Sequence, residues 1–145
     1  MIVTNAAFFR SSPDFHPFLP PILCVPDTPE TLGSLYWDLL ALSRTGCRAL
    51  LSHRISCSCG TLLLPGDDAA SITQLVQANQ IISPGLSARN SITFSSLRPE
   101  DALVCIQRTL IREDGISLEP QEILRPALPL PAEDQLLVFG LQLLL

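Results

Sequence analysis

RALLSHRISCSCGTLLL, residues 48–64, is the stretch whose reading decides the fold. It is too long for one strand of about 5–6 residues, and it splits near Ser52–Arg54 into two strands, RALL and ISCSCGTLLL. In the second part Ile55, Cys57 and Cys59 alternate with Ser56 and Ser58. A period of two puts those cysteines on one face of a strand.

With Cys47 and His53 close by in sequence, the same cysteines offer sulfur and nitrogen ligands for a soft metal, or a thiol activated by a neighbouring imidazolium. Cys-x-Cys is a weak metal signal, because structural zinc sites space their paired cysteines by about two to four residues. On a regular strand positions 53 and 57 stand ~13 Å apart, which a dyad could close only through a bend. Free cysteine is also commonly buried as a small hydrophobe. Core filling is therefore preferred, and a metal or redox-thiol site at Cys47, His53, Cys57 and Cys59 is the third functional reading.

On the amino-terminal side, PETLGSLYWDLLALSRTG (29–46) carries helix punctuation at both ends, with Thr28 as cap, Pro29 at the first position and Gly46 as stop. Leu32, Leu35, Tyr36, Leu39 and Leu40 form one stripe, predicting a helix that covers a sheet. Before it, prolines 13, 17, 20, 21, 26 and 29 forbid a helix or a central strand. Residues 11–29 are thus expected to be an extended connector, packed through Phe15, Phe18, Leu19, Ile22 and Leu23. Residues 1–9 read as a first strand.

On the carboxyl-terminal side, PGDDAASITQLVQANQ (65–80) predicts a helix capped by Asp67, with Ile72, Leu75 and Val76 inward. A brief strand at 81–83, a loop PGLSARNS and a strand ITFSSL follow. ALVCIQRTLI and ISLEPQEIL, joined by the Asp114–Gly115 turn, predict a hairpin whose return strand Pro120 places at an edge. PAEDQLLVFGLQLLL (131–145) starts like a helix and is apolar all round, so it is buried on more than one side or forms a subunit contact. No internal repeat is visible. The sum is a single α/β domain over residues 1–145, a mixed sheet flanked by about three helices.

Composition bounds the function. The 145 residues are 47% hydrophobic and only 16% charged, against about 25% charged in ordinary domains. The net charge of −5 and the scattering of nine basic residues, all Arg, exclude a phosphate-tracking basic surface, so no nucleic acid is expected as a partner. The absence of Lys removes the P-loop lysine and Schiff-base chemistry. Neither the zinc-deaminase signature nor a nucleophile elbow is present. The opening residues lack a secretory pattern and the longest apolar run is about half a membrane span, so a cytoplasmic, membrane-free protein with reduced cysteines is expected.

The leading expectation is a non-catalytic assembly or protein-interaction subunit, a homo-oligomer joined through the Leu-rich carboxyl terminus or the proline-rich connector, needing no cofactor. The alternative is a small-ligand domain, catalytic or not, that holds an anion in the Ser83–Ser91 loop through Ser87, Arg89, Asn90 and Ser91. Glu119 and Glu122 beside Pro120 read as solvated edge-strand charges rather than a catalytic pair.

Overall fold

The computed structural model describes residues 5–21, 23–26 and 28–145; residues 1–4 of the expected first strand and Ile22 of the connector lie outside them. Strands and helices alternate as an α/β fold requires. The strands sort into separate sheets. Strands β1 (Ala6–Phe9), β2 (Tyr36–Leu42), β3 (Cys57–Leu63) and β4 (Val76–Ile82) form a parallel sheet in sequence order. An antiparallel sheet follows, of β5 (Ile92–Leu97), β6 (Asp101–Ile106) and β9 (Gln121–Pro126) in the order β5-β6-β9, with a small hairpin of β7 (Leu110–Ile111) and β8 (Ser117–Leu118).

Three expected elements are corrected. The helix expected over 29–46 stops after α1 (Pro29–Gly33), and Tyr36–Leu42 is strand β2. Its stripe misleads because a parallel strand buried on both faces reads as a continuous apolar run. Leu39 joins one core and Leu40 the other. The strand expected at RALL is instead part of α2 (Arg44–His53), in which Cys47 and Leu50 face inward one turn apart. The Ser43 hydroxyl caps α2 by accepting from the Gly46 amide at 3.0 Å and donates to the Arg10 carbonyl at 2.7 Å. Gly46 is not a stop: a Cβ there would lie 2.7 Å from the Phe9 carbonyl oxygen, so a side chain would push α2 off β1. The helix expected over 65–80 shrinks to α3 (Ala69–Ile72), preceded by a 3-10 turn at Gly66–Asp68, and from Val76 the chain is β4.

The connecting helices share one face. Leu32 of α1, Cys47 and Leu50 of α2 and Ile72 of α3 pack with Phe9, Trp37, Leu40, Leu42, Leu62 and Leu64. On the opposite face, Leu39, Ala41, Leu63 and Ile82 meet α4 (Ala132–Leu144), whose far side packs on Ile92, Val104 and Ile106 of the antiparallel sheet. Each fully buried Leu or Ile contributes about 1.5–3 kcal/mol, so a helix apolar all round is stable between two sheets. The connector is packed but not extended throughout, since Pro13–Phe18 form a short 3-10 helix whose start Ser12 Oγ caps by accepting from the Asp14 amide at 3.3 Å. Phe15 stacks on Phe8 with centroids 5.7 Å apart, Cys24 exchanges main-chain hydrogen bonds with β1, and the Gln142 amide donates to the Phe18 carbonyl. Both elements through which copies were expected to join are thus engaged within the chain.

One irregularity crosses three strands. Trp37, Cys59 and Ala78 pair in register, as do Leu39, Thr61 and Gln80, but the intervening rung of Asp38, Gly60 and Asn79 is not paired. Cys59 and Leu62, three residues apart, consequently face the same core. The face opposite α1–α3 therefore has two halves. Toward the strands' carboxyl ends it is apolar and covered by α4, and toward their amino ends it is polar. Among the described residues no helix is long and apolar enough to cross a membrane.

Candidate functional site

The polar half of that face is the floor of a cleft of about 660 Å³, contributed by Asp38, Gly60, Thr61, Asn79 and Gln80. Its wall is the segment running through the β7–β8 hairpin, with Thr109, Ile111, Arg112, Glu113 and Gly115. Strand order in the parallel sheet never reverses, so the crevice that usually holds ligands at a switch point is missing. The half-covered sheet face takes its place.

Local chemistry holds floor and wall together. The Gln80 side chain imitates a neighbouring strand: its Oε1 accepts from the Ile111 amide at 2.9 Å, and its Nε2 donates to the Ile111 carbonyl at 3.0 Å and to Thr61 Oγ1 at 3.1 Å. The hairpin turns at Gly115, which has φ +86°, and the Ile116 amide donates to Asp114 Oδ1. The Glu113 amide donates to the Leu144 carbonyl, tying the wall to α4. On the floor, Asp38 Oδ2 accepts from the Asn5 amide at 2.9 Å.

Two carboxyl groups from distant parts of the chain thereby face one cleft. Partial burial pushes the Glu113 carboxyl above the usual carboxylate range, the nearby Thr61 hydroxyl opposes that shift, and the Asp38 charge adds to it. Arg112 lines the same cleft; its Nε lies 3.4 Å from Asp114 Oδ2 without forming a hydrogen bond, so its charge is only partly offset. The cleft offers carboxyl acceptors, amides that both donate and accept, and hydroxyls. With two carboxyl groups against one guanidinium, this inventory suits hydroxyl or amine groups better than anions.

The residues singled out from sequence lie elsewhere. Cys47, Cys57 and Cys59 are buried in the core under α1–α3. Burial pushes their thiols up to about 12, 11 and 12 respectively, so they carry protons at neutral pH, whereas metal ligation and nucleophilic attack require thiolate. His53 is exposed in the last turn of α2. Among the described residues no group of three His, Cys, Asp or Glu side chains converges on a metal position.

The Ser83–Ser91 loop is held by its own polar groups. Ser91 Oγ accepts from the Ser83 amide, the Asn90 amide nitrogen donates to the Ser87 carbonyl, and Ser87 Oγ accepts from the Arg89 amide. The Asn90 side chain fills the space where Cβ atoms on Gly66 and Gly85 would stand, locking two Pro-Gly turns together. Arg89 is exposed, and Gln107 and Arg108 donate to the loop's carbonyls. Ser87, Asn90 and Ser91 thus spend hydrogen-bonding capacity on the loop itself. Glu119 accepts from Thr109 and Glu122 from Ser95, both at the surface.

Sequence reasoning missed Asp38, Thr61, Gln80 and Glu113. The available signal was a lone Asp inside the apolar run YWDLLAL, where a charge needs a reason to sit within a strand. No protein-family model, curated protein or solved structure matches the chain.

Proposed function

We propose that the protein is a small-ligand-binding α/β domain whose ligand, bearing hydroxyl or amine groups, occupies the cleft between the polar half of the parallel sheet and the β7–β8 hairpin. The observation that carries this reading is the convergence of Asp38 and Glu113, 75 positions apart in sequence, on a concave space floored by Thr61, Asn79 and Gln80. Concave sites with a few convergent polar groups and a perturbed carboxyl are the physical signature of ligand binding. The five cysteines are free thiols, which suits a reducing, cytoplasmic setting.

The test is a thermal-shift and calorimetric screen with glucose, glucosamine, spermidine and inorganic phosphate against the wild type, Asp38→Asn, Glu113→Gln and Arg89→Ala. Stabilisation by a hydroxyl- or amine-bearing compound, lost in the first two variants, supports the cleft. Stabilisation by phosphate alone, lost in Arg89→Ala, transfers the site to the Ser83–Ser91 loop.

A second reading, the assembly or protein-interaction subunit, is favoured by Leu124. It is 65% exposed on edge strand β9, where Leu103 pairs with it across the ladder. Native mass spectrometry of the wild type and Leu124→Arg tests it: an oligomer that the variant dissociates supports self-association.

A further inference from the structure

Resting on the cleft reading, we infer that the ligand is an oligosaccharide, lying along the sheet face from the amino ends of β2–β4 to the hairpin, with the Tyr36 ring stacked against one sugar. A second cleft, of about 640 Å³, lies at those amino ends, lined by Ser34, Tyr36, Ser56, Ser58, Gln74 and Gln77 among others. The two clefts share no lining residue but approach each other where Tyr36 of this one reaches Gly60 of the other. Tyr36 is 55% exposed, and its hydroxyl lies 3.3 Å from where a Cβ on Gly60 would stand, so the ring leans over the glycine that floors the other cleft. From Ser56 to Thr61 the strand advances ~17 Å at ~3.3 Å per residue, enough for a chain of several rings.

The chemistry of this groove selects among extended ligands. Serine and tyrosine hydroxyls, glutamine and asparagine amides and the two carboxyl groups are donors and acceptors matched to paired hydroxyls on a ring. An exposed aromatic beside them supplies a flat apolar surface with a polar tip, matching the apolar face of a sugar. Nucleic acid is disfavoured because, among the described residues, Arg112 is the one cationic side chain lining the two clefts, and it lies beside Asp114. An extended peptide gains its affinity from main-chain pairing at a sheet edge. Here the floor is a face: β2 and β3 are inner strands with a neighbour on either side, paired everywhere but at the Asp38–Gly60 rung, and the edge strand β4 turns the side chains of Gln77, Asn79 and Gln80, not its open edge, to the clefts.

The experiment is an amide-resolved NMR titration of the whole chain with cellohexaose, maltohexaose and the hexamer of N-acetylglucosamine, with each corresponding monosaccharide, and with a neutral Gly-Ser hexapeptide. The expected result is that one hexamer shifts amides both at Ser58–Gln77 and at Asp38–Glu113 and binds at least tenfold more tightly than its monomer. Tyr36→Ala should weaken that hexamer at least tenfold, and Tyr36→Phe, which keeps the ring, by less than threefold. Both variants replace an exposed side chain, and their unchanged spectra outside the groove serve as the folding control. Shifts confined to Asp38–Glu113, with hexamer and monomer bound equally, overturn the extended groove and leave the cleft standing. Shifts caused by the peptide alone overturn the sugar assignment. No response to any saccharide overturns it too, and if the small-ligand screen is also blank the cleft reading falls with it.

Discussion

The indole Nε1 of Trp37 donates to the carbonyl of Leu32 at 3.2 Å in the buried layer between α1 and the parallel sheet. It binds the helix to the strand that follows it. Trp37→Phe keeps an aromatic ring there but leaves the Leu32 carbonyl unpaired, at a cost of about 1–3 kcal/mol. As Trp37 is the one tryptophan, urea unfolding of this variant is followed by far-ultraviolet circular dichroism. A midpoint unchanged from wild type would show that the hydrogen bond carries no stability.

The three core thiols predict an alkaline weakening. Their folded pKa values, about 12, 11 and 12 for Cys47, Cys57 and Cys59, lie above the ordinary value of 9.0. Between pH 9 and 12 the unfolded chain loses these protons before the folded chain does. The stabilisation is therefore fully present below pH 9 and is lost as pH rises through that window. Stability measured from pH 8.5 to 10.5 should fall, and the Cys57→Ala and Cys59→Ala variants should fall less steeply from their own lower starting points. In the native protein at pH 8, a thiol reagent should label exposed Cys24 far faster than these three.

Glu113 predicts a pH effect in the acid range. Its folded pKa is raised by burial first, then by Asp38. Relative to an unshifted carboxyl, the folded state gains below about pH 4.5 and loses as pH climbs through the raised value. Glu113→Gln should thus be more favourable at pH 7 than at pH 3, by a few tenths of a kcal/mol, because solvent screens a half-buried group. Chemical denaturation at the two pH values measures it, and the reverse order would contradict the placement of Glu113 beside Asp38.

Two helix positions predict opposite signs. Arg54 ends α2 in the left-handed region, φ 51° and ψ 45°. A side chain there costs roughly 1–2 kcal/mol, so Arg54→Gly should stabilise by about 0.5–1 kcal/mol after the unfolded chain's added freedom is counted. Gly46→Ala drives a Cβ toward the Phe9 carbonyl oxygen and should destabilise by about 1–3 kcal/mol. Urea midpoints of both variants decide the pair.

Legibility in the sequence followed the distance over which each signal acts. Turn chemistry is local, so the Asp114–Gly115 hairpin, strand β5 and the start of α4 could be read directly. The identities of β2 and α2 could not, because Leu39–Leu42 satisfies a helical stripe as well as a strand buried on both faces. Only pairing with β1 and β3 settles it. The same exchange displaced Gly46 from a helix stop to a close approach. The cleft was hidden for a stronger reason: Asp38 and Glu113 become neighbours only when the hairpin folds back along β4 through Gln80. A one-dimensional pattern carries no trace of that contact.

The position of α4 bears on how the chain is made. During synthesis β1–β4 can pair and gather α1–α3 early, with Phe15 of the connector over Phe8 on the other face, yet Leu39, Ala41, Leu63 and Ile82 lack α4 until residues 132–144 emerge. For some fifty residues of elongation the ribosome carries a sheet finished on one side and only partly covered on the other. Such a nascent chain needs a chaperone's shelter or a quick finish.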